Sequence, residues 1–429
     1  MQVRRVLIFL LKPIVLLICL LESALFLLRQ RKALSEYSLV YPFWTWSFGH
    51  TIVGVEFAAR LYYPQRVALL YVPHSRSNTL FAHCFQDNMT CFVFRSRLPP
   101  LPHTLEALKF AALRFWLLLW TAVTQSFHVL DQVLGVYPCV PLASNTMLQG
   151  NNALGALDKH TDWTGLIRLQ RDKIGVPPKL PPEAIDRCRR AFEEIDPAFF
   201  SKPFVTVLLR SKSNGQFDDE YRSSGPPQNY LPALEFLSRE GFNIVATGET
   251  AKGAFGHLPG FVDSKSLAVP YEEINLFVLM HCALFIGQQS GPLLVPNACG
   301  IPCLICDSVP YRLGTNNSDD LVLFKHMSDK TSGRRLSYVE VFREHQDLAF
   351  GYNFTKKNIV VQPNTAEEIL AGARETVARM RGNLKLTTDE LKLVEAFHRL
   401  PPREMPVYYH GNRPPLATLQ TLRQELLNS

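Results

Sequence analysis

The sequence predicts an α/β protein built on a doubly wound parallel sheet and preceded by an apolar helix. Three observations predict it. Two near-continuous apolar runs, Ala283–Ile286 and Pro302–Cys306, are joined by a Gly-Gln-Gln-Ser-Gly turn and a short helical stretch, as a parallel sheet buried on both faces requires. From Phe204 onward, apolar runs alternate with helical patterns of ten or so residues, the signature of strands crossing over through helices. At the start of the chain, an apolar run from Val6 to Leu28 is about long enough to cross a bilayer.

Composition narrows the class. The chain of 429 residues has room for two domains of ordinary size. With 47% hydrophobic and 19% charged residues it is globular with a greasy region, not disordered. A net charge of +7 suits an anionic substrate or an anionic membrane surface, and no basic run is dense enough to argue for nucleic acid. Among nine scattered cysteines, Cys299, Cys303 and Cys306 come nearest to a metal pattern. They fall on the strand-helix unit above and read as buried structural thiols in a reducing compartment, with no metal site.

The elements run in order along the chain. Residues 1–32 form a membrane-anchoring helix, interrupted by Lys12, Pro13 and Glu22 and flanked by Arg4, Arg5, Arg29, Arg31 and Lys32. No small-residue cleavage site closes it, so an embedded or re-entrant anchor with the body on the cytoplasmic face is expected. Residues 33–180 form a first α/β domain: a helix from Gly49-His50, a strand at Arg66–Val72, a helix at Asn78–Phe85 and a strand at Thr90–Phe94. Leu105–Leu134 reads as a very apolar helical region, either core or a second membrane-contacting surface with Lys109 and Arg114 snorkelling. The Pro-rich 175–183 is the linker. Residues 181–400 form the second domain. Its strands are Phe204–Leu209, Phe242–Thr247, Gly260–Val262, Ala283–Ile286, Pro302–Cys306 and Asn358–Gln362. Its helices are Pro182–Glu194, Asn229–Arg239, Tyr271–Met280, Thr365–Met380, opened by a capping-box pattern, and Thr387–Arg399. Residues 401–429 are a polar tail with a closing helix.

In an open α/β sheet, ligands sit beyond the carboxyl ends of the strands, so the residues just past each strand outline the site. They are Arg210 with Ser211 and Lys212, Gly248 and Glu249, Asp263, then Gln288, Gln289, Ser290 and Gly291, and finally Asp307. Arg210 offers a planar fork to phosphate oxygens that Lys212 reinforces; equally, it fits a rim charge paired with a neighbour such as Asp218. The turn before Pro292 favours an anion at the following helix start, or is a plain strand-turn-helix. Asp218 and Asp219 read as a solvated loop rather than a metal pair. Tyr311–Lys325 reads as a binding loop, with Lys325 reaching a phosphate or pairing with Asp319 or Asp320. In the first domain His50, His74 and Glu56 are candidates for taking a proton from an acceptor hydroxyl.

The order FVTVLLRS, DEYRSS, NYLPALEFLSREGFNIVATGE, FVDS, LFIGQQSG, GIPCLICD and DLVLFKH resembles a family of bacterial glycosyltransferases found among surface-carbohydrate biosynthesis proteins. The match runs over roughly residues 48–400, and SFGHTIVGVEFAAR resembles the family's opening loop and helix. The resemblance implies the GT-B type of fold, two Rossmann-like domains facing a cleft. It also implies a nucleotide-sugar as co-substrate, with no cofactor and no metal. Donor contacts are expected from Arg210, Lys212, Arg222, Gly248, Glu249, Asp263, Gln289, Ser290, Gly291 and Lys325. His50 or Glu56 is expected to act as base toward a glycan or lipid-linked acceptor at a membrane surface. Two departures are plain: Ala246 stands where the family carries Arg, and Ser211-Lys212 replaces its polar pair after Arg210. Three functions stay open: membrane-associated sugar transfer, nucleotide-sugar epimerisation on the same fold, and a non-catalytic carbohydrate-binding or scaffold role.

Overall fold

The computed structural model describes residues 2–34, 36–37, 39–44, 48–72, 80–85, 87–98, 105, 107–117, 119, 172–210, 223–248, 252–309, 317, 320–344, 358–400 and 412–427. The chain divides into two compact units, Met1–Leu169 with Lys173–Lys179, and Gln170–Asp172 with Leu180–Ser429.

The first unit opens with α1 (Gln2–Leu34), then β1 (Leu39–Trp44), α2 (Phe48–Leu61), β2 (Val67–Val72) and β3 (Met89–Val93), and a helix α3 at 107–117. The strands form a parallel sheet in the order β1-β2-β3. β1 was not expected from the sequence. It contains Pro42, which has no N–H for a ladder and is tolerated because β1 lies at the sheet edge. The helix expected at Asn78–Phe85 is a short 3₁₀ turn, Leu80–Cys84. Of the apolar region Leu105–Leu134, residues 106, 118 and 120–134 lie outside the described residues, as does His74.

In α1, Leu11–Leu34 is long and apolar enough to cross a membrane by length and composition. One side of it is nonetheless packed. Val15 and Cys19 join a cluster with Leu105 and Ala112, and Phe26 lies against Phe94 with ring centroids 5.3 Å apart. The Glu22 carboxylate accepts hydrogen bonds from Ser96 Oγ at 2.5 Å and the Arg97 N–H at 3.0 Å. Trp116 Nε1 on α3 donates to the Leu20 carbonyl at 2.8 Å. Lys109 is buried rather than reaching for a surface.

The second unit begins with α4 (Pro182–Glu193), then β4 (Phe204–Leu209), α5 (Pro227–Arg239), β5 (Asn243–Gly248) and β6 (Phe261–Asp263). It continues with α6 (Tyr271–His281), β7 (Leu284–Gly287), α7 (Leu294–Ala298), β8 (Cys303–Ser308) and β9 (Leu321–Phe324). These six strands make one sheet in the order β6-β5-β4-β7-β8-β9, every pairing parallel. Alternation along each strand sends Val205, Val207, Leu209, Ile244, Ala246, Leu284 and Ile286 into one core with Tyr230, Ala233, Leu234 and Leu237 of α5. The opposite face meets α6, where Thr206 Oγ1 donates to the Val278 carbonyl at 2.6 Å and Thr247 Oγ1 to Asn275 Oδ1 at 2.9 Å. Helices on both faces explain why β4, β7 and β8 are buried at every position. Ala246 sits inside that core, where an Arg would be entombed rather than presented to a ligand.

Two expectations change here. The apolar LVLFK stretch is not part of a binding loop but supplies the sixth parallel strand, β9. The last expected strand, β11 (Ile359–Gln362), pairs antiparallel with β10 (His326–Asp329) in a separate two-stranded sheet. After α8 (Tyr338–Glu344) and β11 come α9 (Ala366–Met380) and α10 (Thr388–Arg399), capped by Thr365 and Thr387, each in a capping box with the Glu three residues on. Residues 412–427 are no free tail. Arg413 bridges Leu321 alongside β9 and its guanidinium meets the Glu375 carboxylate of α9 at 2.5 Å, both buried. The closing turns α11 (Leu416–Thr421) and α12 (Arg423–Leu427) bury Leu416, Leu419 and Leu426.

Candidate functional site

The strand order fixes where a ligand crevice lies in the second unit. The chain leaves β4 outward to β5 and β6, then returns across β4 to lay down β7, β8 and β9 on the other side. Crossovers on either side of this reversal pack on opposite faces, which leaves a crevice between the carboxyl ends of β4 and β7. Arg210 comes directly after β4, and Gln288-Gln289-Ser290-Gly291 directly after β7.

A buried polar network builds the floor of this crevice. The Arg210 N–H donates to Ser224 Oγ at 2.6 Å and to Gln288 Oε1 at 3.0 Å, and the Ser224 N–H returns to the Arg210 carbonyl at 2.8 Å. Gln288, 1% exposed, turns its Nε2 to the Tyr230 hydroxyl at 3.1 Å. Tyr230 donates in turn to Asp307 Oδ2 at 2.6 Å. The same carboxylate accepts from the Gly225 N–H at 2.6 Å and the Asn364 N–H at 2.7 Å, and Asn364 Oδ1 takes the Asp307 N–H at 2.6 Å. Asp307 carries φ +50°, a left-handed conformation uncommon outside glycine. The matched Asn364 contacts hold it there. Burial first, and then the Asp307 charge, push the Tyr230 phenol far above its ordinary value, so it remains a donor.

Above this floor stand the half-buried groups that can meet a ligand: Arg210, Gln289, Ser290 and Gly291. Gln289 Oε1 accepts from Ser308 Oγ at 2.9 Å, at the end of β8. Ser290 is extended, opens the 3₁₀ turn Gly291–Leu293 that leads into α7, and caps it with no side-chain bond. Its hydroxyl reaches the Gln288 carbonyl at 3.3 Å. Pro292 and Pro296 limit the helical stretch to short turns, as the sequence implied. Gly287 answers to the sheet, not to a ligand: a Cβ there would lie 2.9 Å from the Leu208 carbonyl oxygen.

The other sequence candidates divide. Lys212, Arg222 and Glu249, with Asp218, Asp219 and Asp319, lie outside the described residues. Lys325 is 4% exposed and donates through Nζ to the Ser223 carbonyl at 2.7 Å. Asp320 is held by the Cys303 N–H at 2.9 Å and Asn297 Nδ2 at 3.0 Å. Asp263 closes the edge strand β6 and accepts from the Lys265 N–H, capping a short turn. Gly248 closes β5 at φ +76°, beside β4, where a side chain would be strained. In the first unit, His50 lies in the first turn of α2, and its side chain is outside the described residues. Glu56 is 1% exposed and bonded at 2.8 Å to Arg60, whose second nitrogen reaches the Ile174 carbonyl at 2.7 Å. Through Arg60, that carboxylate fastens α2 to the 173–179 segment. Sequence reasoning did not select Ser224, Gly225 or Asn364. Asn364 becomes visible only once a fold brings it to Asp307, 57 positions away.

No family model and no curated protein matches this chain. Among solved structures the likenesses are faint. One is to a crystal structure of a glycosyl transferase family 9 protein from Veillonella parvula, with TM-score 0.34, 13% identity and coverage of 62% of this chain and 79% of that one. Another is to UDP-GlcNAc 2-epimerase from Neisseria meningitidis bound to UDP-GlcNAc, with TM-score 0.28, 9% identity and coverage of 80% and 99%. At such scores neither carries an argument. The functional reading rests on the crevice.

Proposed function

We propose that the chain is a membrane-associated glycosyltransferase of GT-B type, moving a sugar from a nucleotide-sugar to a glycan or lipid-linked acceptor in surface polysaccharide biosynthesis. One observation supports it above the others: the crevice between the β4 and β7 ends gathers Arg210 with the Gln289-Ser290-Gly291 turn over a rigid polar floor. In this reading the donor diphosphate lies against Arg210 and the turn, and Lys212 and Arg222 join from the intervening loop. A charge-assisted fork and backbone N–H groups stabilise the departing diphosphate. The first unit receives the acceptor, with His50 as base, and α1 holds the protein at the cytoplasmic face of a membrane.

A thermal-shift screen of nucleotide-sugars, followed by calorimetry with the matching nucleoside diphosphate, tests the reading. Arg210→Ala is expected to weaken diphosphate binding by about 1.5–3 kcal/mol. Unchanged affinity removes Arg210 from the site, and no binding of any nucleoside diphosphate ends the case for sugar transfer. Product analysis with the nucleotide-sugar that binds then separates transfer from epimerisation.

A further inference from the structure

We infer that α1 docks one-sidedly on an anionic lipid bilayer, lying in the plane of the interface instead of crossing it. Two sets of observations carry this, and both are independent of the reaction proposed above.

The first is the division of α1 into two apolar faces. Val15, Cys19, Leu27 and Leu34 are buried, the first two against Leu105 and Ala112. Leu11, Ile14, Leu17, Leu21, Leu25 and Leu28 form a second stripe at three- and four-residue spacing, each 38–62% exposed. A soluble helix with one packed face turns charged and polar groups outward. This one turns leucines. At the rise of an α-helix the stripe runs about 25 Å, with exposed Lys12 at one end and exposed Arg29, Arg31 and Lys32 at the other. Basic groups bracketing an apolar stripe complement anionic headgroups around an acyl surface. Phe115 and Leu119, both exposed, add apolar area from the α3 region that hydrogen-bonds Leu20.

The second is what the packed face touches. Glu22, near the middle of the helix, is bonded to Ser96 Oγ and the Arg97 N–H. Residues 94–98 are irregular backbone, and Arg95 and Arg97 are exposed. A spanning α1 carries this segment to the depth of the hydrocarbon, where open backbone and exposed guanidinium groups are not tolerated. With α1 in the plane, the stripe enters the acyl boundary while Glu22 and its partners stay on the protein side.

The test uses the full-length protein and vesicles of phosphatidylcholine with phosphatidylglycerol, against phosphatidylcholine alone. Single nitroxide labels go on Ile14→Cys, Leu21→Cys and Leu28→Cys in a Cys139→Ser background, exposed positions that react ahead of the buried and half-buried thiols among the described residues. Power-saturation depth is expected to be equal at all three, about 5–10 Å below the headgroups. Binding is expected to favour the anionic vesicles. Leu17→Glu/Leu21→Glu is expected to lower the bound fraction at least about tenfold with an unchanged circular dichroism spectrum. A depth profile deepest at position 21 and shallow at 14 and 28 means a span and overturns the inference. So does a stripe shielded by a second copy in lipid-free solution, or a wild-type protein that ignores both vesicles.

Discussion

Tyr230 is fully buried, yet its hydroxyl links two of the strand ends that frame the crevice. It donates to Asp307 and accepts from Gln288, so it couples the end of β8 to the turn after β7. Asp307 is well satisfied by three donors, and removal of one leaves a buried carboxylate short of a partner. Tyr230→Phe is therefore expected to cost about 1.5–3 kcal/mol, the range for a hydrogen bond to a charged group, seen as a lower urea midpoint by circular dichroism. Diphosphate affinity should fall with it, because Gln288 also loses an acceptor and the turn bearing Gln289 and Ser290 loosens. A lower midpoint with unchanged affinity would make the pair purely structural. Lys325 and Glu56 carry the opposite lesson. Each is a charged residue at a suggestive point in the sequence with a partner of its own: Lys325 the Ser223 carbonyl, far along the chain, and Glu56 the Arg60 guanidinium one helical turn on.

At the scale of the element, five of the six strands of the parallel sheet, β4 to β8, were legible because parallel pairing buries both faces and leaves apolar runs. The carboxyl-end rule then brought out Arg210 and the Gln288–Gly291 turn. What the runs do not encode is which strand neighbours which. LVLFK reads equally as a loop's apolar end and as β9, and the stretch before β11 gives no sign that its partner is β10. β1 was hidden by Pro42, and Asn364 by distance along the chain. Gly287 permits β7 to lie close against β4. Gly287→Ala would set a methyl 2.9 Å from the Leu208 carbonyl oxygen and 2.8 Å from the Phe285 ring. Backbone on one side leaves nothing flexible to yield, so the two strands that frame the crevice must spread. A cost of about 1–3 kcal/mol is expected from overpacking, read by chemical denaturation, together with weaker diphosphate binding. A neutral result would mean that the strands accommodate the methyl without moving.

For the whole molecule, the second unit has the parts of an independent folding domain: its own six-stranded sheet, helices on both faces and a continuous core. Among the described residues, no strand of that sheet comes from the first unit. The closing residues 412–427 pack within it, through the Arg413–Glu375 pair and the Leu321 bridge. All five tryptophans, Trp44, Trp46, Trp116, Trp120 and Trp163, fall in the first unit. A fragment of residues 180–429 is therefore expected to unfold cooperatively by circular dichroism while showing no tryptophan fluorescence. If the diphosphate contacts all come from the β4 and β7 ends, the fragment should bind the same nucleoside diphosphate as the full chain within about threefold, or about 0.7 kcal/mol. A folded fragment that has lost affinity by more than about tenfold would assign part of the anion contact to residues before 180. A fragment that stops at residue 411 provides the control: it uncovers the β9 edge and takes from the Glu375 carboxylate both Arg413 and the Leu416 N–H. Loss of one partner of a buried pair costs about 3–5 kcal/mol, so this shorter fragment is expected to fail where the longer one folds.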